Sequence, residues 1–289
     1  MSFRLSSKSP NQSRLISESQ KEDGKKKYFF VLEGEKTEHI YMNEVANNIK
    51  EDSLIDVLIL ERISNQQSNQ HKITVAIRDF LDGHSKIDPS IKSQLYDLCN
   101  KYEEEVLDET QLLDSINELL EDMKDDFITK YNDTVIEQIR LLHNLESYSK
   151  GLDKICLILD RDYKSFKENQ YDEVLKICEE NEFLLGITNP NIEFYLLLHM
   201  NDAKQYDAAQ LLENRRTAKS KTSKKFVESE LNKTLKVFGK SYSKTNFDAK
   251  FFVDRFPDFL KNIEGYETDN ARLKTGLGSS VHQIIKQIL

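Results

Sequence analysis

Three short runs of this chain are apolar at nearly every position rather than at alternate ones: "YFFVL" at Tyr28–Leu32, "ICLIL" at Ile155–Leu159 and "FLLGIT" at Phe183–Thr188. A strand with one wet face alternates apolar and polar residues, whereas a strand apolar throughout is buried on both faces. Strands of that kind belong to a parallel sheet covered by helices on each side.

The intervening segments agree. Thr37 reads as the N-cap of a helix in which Ile40, Tyr41, Val45 and Ile49 share one face. A second strand is predicted over Ile55–Ile63, then a polar loop over Ser64–Gln70, then a helix at "KITVAIRDFL". Beyond the third strand, "YDEVLKICEENE" reads as a helix, and "IEFYLLLHM" opens another after Asn189-Pro190. The order is β-α-β, a helical insertion, then β-α-β-α: an α/β fold with a parallel sheet and flanking helices. Residues 1–26 read as a disordered leader with a basic end. Residues 27–82 and 151–200 form the two parts of the sheet domain, 83–150 an acidic helical insertion, and 201–289 a helical C-terminal region with a basic loop.

Charge sharpens this division. The net charge is −9, yet Gly83–Lys150 holds 16 acidic against 7 basic residues, and Asn201–Lys250 holds 12 basic against 6 acidic. The basic side is a candidate nucleic-acid surface. Its tract Arg215, Arg216, Lys219, Lys221, Lys224 and Lys225 either tracks a phosphate backbone or is a solvated linker. The insertion has no catalytic motif; its amphipathic helices pack on a partner, on another copy of the chain, or on their own protein. Three scattered cysteines and six dispersed histidines offer no zinc or redox spacing, which points to a reducing cytoplasm. No apolar run reaches the roughly 20 residues that span a bilayer, so no membrane association is expected.

Two of the buried strands end in acids. Glu33 closes the first, within "VLEGEKTE", and Asp160-Arg161-Asp162 closes the third. In parallel sheets functional groups gather at the carboxyl ends of strands. If these two strands are neighbours, three anions meet and repel one another unless a cation neutralises them. An Asp-x-Asp pair in extended chain points both carboxylates to one side. Oxygen ligands of this kind suit Mg²⁺ or Mn²⁺. Each motif alone is also an ordinary turn or solvated loop.

Around them, Glu35 is a candidate further ligand and Lys36 a candidate phosphate contact. Arg161 is a bidentate partner for phosphate, or for Glu33 or Glu35. Glu193 begins a helix after Asn189-Pro190 and is either a site residue or an ordinary helix-start acid. His199, on an apolar helix, is either a catalyst or a hydrogen-bonded core histidine. Glu38 lies in a first helical turn, where the helix dipole favours an acid.

A strand ending in Glu33-Gly34 and a later one ending in Asp160-Arg161-Asp162 resemble the TOPRIM fold of topoisomerases, primases and certain nucleases. The blocks "FFVLEGEKTEHIYMNEV", "CLILDRDYKSF" and "TNPNIEFYLLLHM" resemble more narrowly the RloB-like family of TOPRIM proteins from abortive-infection (AbiL-type) and restriction-associated loci. The resemblance covers about Lys27–His71 and Lys154–Met200; the insertion lies outside it and the C-terminal third matches weakly. Tyr195 stands where the family often has Trp. It implies acid/base or metal-binding roles for Glu33 and metal binding by Asp160 and Asp162. It also implies a Mg²⁺-dependent nuclease acting on RNA such as tRNA, or on DNA. That enzyme would be an anti-phage effector with a neighbouring AAA- or ABC-type ATPase as partner. A silent TOPRIM-like regulator that binds the ATPase and a primase-like nucleotidyl transferase are the alternatives, and a homo-oligomer is compatible with all three. The chain carries no G-x-x-x-x-G-K-[ST] loop of its own for nucleotide hydrolysis.

Overall fold

The computed structural model describes residues 25–34, 36–50, 53–60, 69–84, 88–119, 145, 148–162, 166–220 and 222–289. The leader up to residue 24, Glu35, Lys221 and residues 120–144 of the insertion lie outside the described residues.

Strands β1 (Lys26–Leu32), β2 (Ile55–Leu60), β3 (Lys154–Asp160) and β4 (Leu184–Asn189) are mutually parallel. Their order across the sheet is β2-β1-β3-β4. Helix α1 (Thr37–Asn47) links β1 to β2, and α2 (Gln70–His84) follows β2. The described part of the insertion is α3 (Pro89–Glu103) and α4 (Glu109–Leu119). Helix α5 (Glu168–Glu180) links β3 to β4, and α6 (Ile192–Leu198) leaves β4. Strand β1 begins at Lys26, inside the segment assigned to the leader.

The unbroken apolar runs serve two cores at once. On β1, Tyr28, Phe30 and Leu32 face one core while Phe29 and Val31 face the other. On β3, Cys156 and Ile158 face the first, and Ile155, Leu157 and Leu159 the second. Each such buried side chain contributes about 1.5–3 kcal/mol. The second core also takes Leu95 and Tyr96 of α3 and Leu112 and Ile116 of α4, so the described insertion helices pack on their own protein.

The C-terminal region departs from the expected all-helical reading. After α7 (Ala208–Glu213) and α8 (Phe226–Lys236) comes a short hairpin, β5 (Tyr242–Ser243) and β6 (Asn246–Phe247). Helices α9 (Ala249–Val253) and α10 (Phe256–Asn262) follow, and then β7 (Gly278–Ser279) pairs antiparallel with β4 as the fifth strand of the main sheet. Phe252, Phe256 and Ile285 join the first core beside Tyr28 and Phe30. This region therefore completes the sheet and one of its layers. Among the described residues no helix is long and apolar enough to cross a membrane.

Candidate active site at the ends of the parallel strands

β1 and β3 are neighbours, with Leu32 opposite Ile158, so the two acidic strand ends meet as expected. The main-chain N–H of Asp160 donates to Glu33 Oε2 at 2.7 Å. Gln70 Nε2 donates both to Glu33 Oε1 at 2.9 Å and to the carbonyl of Asp160 at 3.0 Å. Gln70, read from sequence as the end of a loop, is instead the fully buried first residue of α2 and ties the two strand ends together. Glu33 and Asp160 open into a cleft of ≈ 990 Å³, lined also by Lys36, Thr37, Glu38, Asp162, Asn191 and Glu193.

The electrostatics follow from crowding. Burial, then repulsion from Glu38 and Asp162, push the Glu33 carboxyl from 4.5 up to about 8, although the bonds from Asp160 and Gln70 pull the other way. Burial raises Asp160 well above the carboxylate range, with Glu33, Glu38 and Glu193 adding to it and Lys244 opposing.

Asp160 and Asp162 both line the cleft. Arg161, between them, also borders the cleft but is only 1% exposed. Its guanidinium bonds the carbonyls of Lys274 and Phe166 and lies over the rings of Phe166 and Tyr171. The guanidinium is thus held by the protein's own carbonyls and rings rather than displayed as a phosphate contact. His199 is likewise a core residue. Its ring nitrogens meet the Tyr41 hydroxyl and the Tyr195 carbonyl, each at 3.0 Å, and burial pushes it down to about 3, so it stays neutral.

Glu193 does join the cleft. Nearly buried, it accepts from Asn191 Nδ2 and from the Tyr242 hydroxyl at 3.2 Å, and pairs with Lys244 Nζ at 3.6 Å. Lys36 is exposed on the rim. Of the basic tract, Arg215, Arg216 and Lys225 line the same cleft. Lys219 is exposed away from that lining, and Lys224 pairs with Glu228 at 3.6 Å.

Sequence reasoning missed Thr37, Glu38, Gln70, Tyr242 and Lys244. Thr37 does not cap α1: Lys36 precedes the helix, and the Thr37 hydroxyl bonds Tyr242 Oη at 3.0 Å and the Lys244 carbonyl at 3.2 Å. Glu193 first, then Asp160, Glu228 and Glu38, hold the Lys244 ammonium above its ordinary range.

Among the described residues no three His, Cys, Asp or Glu side chains converge as a ready-made cation cage. The donor set is nonetheless all hard oxygen, and burial together with the neighbouring like charges raises the proton affinity of Glu33 and Asp160, a strain that a divalent cation would relieve. The residues thus fit Mg²⁺ or Mn²⁺ in donor chemistry.

These features define a Rossmann-like α/β protein with an acidic cleft at the carboxyl ends of its central strands. The family model described as "RloB-like protein" matches residues 28–288, and the chain belongs to that family. The match takes in the insertion and the whole C-terminal region, more than the three sequence blocks covered. Neither a search of curated proteins nor one of solved structures found a match.

Proposed function

We propose that this protein is a metal-dependent nuclease of TOPRIM type, hydrolysing phosphodiester bonds in RNA, such as tRNA, or in DNA. The observation that carries this reading is the clamped carboxylate pair, Glu33 against the Asp160 N–H at 2.7 Å, in a cleft rimmed by Arg215, Arg216 and Lys225. Acids at the centre and bases at the rim suit a polyanion whose reacting phosphate must meet a cation.

Glu33, Asp160 and Asp162 would hold Mg²⁺ or Mn²⁺. When bound, the cation supplies neutralising charge at a phosphoryl oxygen and lowers the pKa of water. Glu33, oriented by two donors, is placed to take a proton from the attacking water once the cation has drawn it into the ionised form. The water oxygen bonds to phosphorus as the bond to the leaving sugar oxygen breaks, and that oxygen takes up a proton. The rim arginines and Lys36 grip flanking phosphates. The resemblance to abortive-infection loci extends the proposal to an anti-phage effector in the cytoplasm, restrained or triggered by a neighbouring AAA- or ABC-type ATPase.

The test is cleavage of RNA, single-stranded DNA and duplex DNA in Mg²⁺ or Mn²⁺, with and without that ATPase. Asp160→Asn and Glu33→Gln are expected to abolish cleavage. Wild type that cuts nothing even with its partner, or variants that cut equally well, would overturn the proposal in favour of a silent regulator.

A further inference from the structure

The β5–β6 hairpin has two-residue strands, too short to hold itself together in water. Yet three helices pin it. Tyr242 Oη meets Thr37 Oγ1 on α1 at 3.0 Å and Glu193 Oε1 on α6 at 3.2 Å. The Tyr242 N–H donates to Asn232 Oδ1 on α8 at 3.1 Å, and the Lys244 carbonyl accepts from Thr37 at 3.2 Å. All this fixes a turn whose side chain, Lys244, remains 61% exposed. An ion pair that exposed contributes little to stability, so the pair with Glu193 does not account for such a mount.

The ammonium's position suggests what does. Lys244 lines the same cleft as Asp160 and pairs there with Glu193, whereas Glu33 is clamped from the α2 side by Gln70. In-line displacement at phosphorus needs charge stabilisation at the leaving oxygen as well as at the attacking one. We propose that Lys244 is a catalytic residue whose ammonium stabilises the leaving oxygen, so that the cleft works with one divalent cation and a lysine in place of two cations. The proposal rests on the nuclease reading above. The balance is that of hydrolysis: water's oxygen bonds to phosphorus, the bond to the sugar oxygen breaks, and the negative charge on that oxygen develops beside Lys244 until solvent protonates it.

The experiment compares wild type, Lys244→Gln and Lys244→Arg on an oligonucleotide and on a p-nitrophenyl nucleotide diester, whose leaving phenolate needs little stabilisation. On the oligonucleotide Lys244→Gln should lose about 10²- to 10³-fold in kcat with KM little changed. On the nitrophenyl ester most of that loss should vanish. Lys244→Arg, which keeps the charge on the same turn, should retain the larger part of activity. Calorimetric titration with Mn²⁺ alone should find one site per chain in wild type and in Lys244→Gln. Equal losses on both substrates, a rise in KM in place of the kcat loss, an arginine variant as impaired as the glutamine one, or two Mn²⁺ sites in wild type would each overturn the assignment. The assays are run with and without the neighbouring ATPase; a wild type that cleaves neither substrate in either case removes the nuclease reading, and this proposal with it. A wild type that cleaves both isolates the role of Lys244.

Discussion

A β-carbon on Gly34 would overlap the carboxylate of Glu38. The glycine is needed for this close approach rather than for a left-handed backbone, which it does not adopt. With no side chain at position 34, α1 lays its first-turn acid back over the end of β1, where it raises the proton affinity of both Glu33 and Asp160.

Gly34→Ala should therefore swing Glu38 out of the cluster. Because the obstructed atoms are the end of a flexible side chain, the stability cost should be about 1 kcal/mol. On the proposed nuclease reading, cleavage should fall on the order of 10- to 100-fold, since the acids of the cleft would be rearranged. Urea unfolding and single-turnover kinetics on the same preparation separate the two effects.

Gln70→Leu keeps the volume and deletes a donor that bridges Glu33 and the Asp160 carbonyl. Leaving both acceptors without it should cost about 1–3 kcal/mol in the urea midpoint. A variant as stable as wild type would show that the bridge contributes nothing to the fold.

The cation-free protein should lose stability as pH rises. Glu33 has a folded-state value of about 8 against an ordinary 4.5. Between those values the folded state holds a proton that the unfolded state has released. Unfolding free energy therefore falls with pH across that window, by at most about 1.4 kcal/mol per pH unit for one group. Below pH 4.5 the contribution is fully present; above pH 8 its loss is complete. Thermal melts at pH 6 and 8 in chelator should show the drop, and Mg²⁺ or Mn²⁺ at pH 8 should reverse it.

The arginines divide into two kinds. Replacing Arg215, Arg216 and Lys225 together by Gln should reduce the slope of log affinity against log salt by about 2 for single-stranded nucleic acid, with folding unaffected. Arg161→Leu should do the reverse. It leaves that slope alone and costs about 2–4 kcal/mol, because it strips hydrogen bonds from the carbonyls of Lys274 and Phe166. Filter binding across a salt series and denaturant melts distinguish these outcomes.

The sheet could be read from sequence because strands buried on both faces leave an unbroken apolar signature, and Glu33, Asp160 and Asp162 could be read because they terminate it. Arg161 was not: nothing local to Asp160-Arg161-Asp162 says that its guanidinium will be buried against Phe166 and Tyr171. Tyr242 and Lys244 were not: two-residue strands carry no period, and nothing local to "SYSKTNF" says that its turn will sit over acids from distant segments. Gln70 was lost in a polar tract where only the fold shows which residue begins the helix. His199 needed its neighbours, because one turn of sequence shows Tyr195 but not Tyr41 or Phe259 around the ring.

The order in which these parts leave the ribosome follows from the hairpin's place in the chain. Glu33, Asp160 and Glu193 are all made before Lys244, and β7 at Gly278–Ser279 is made later still. A nascent or prematurely stopped chain can carry every carboxylate of the cleft, but it lacks the lysine that opposes them and the strand that closes the sheet beside β4. The complete constellation therefore waits until both the hairpin and β7 have been made.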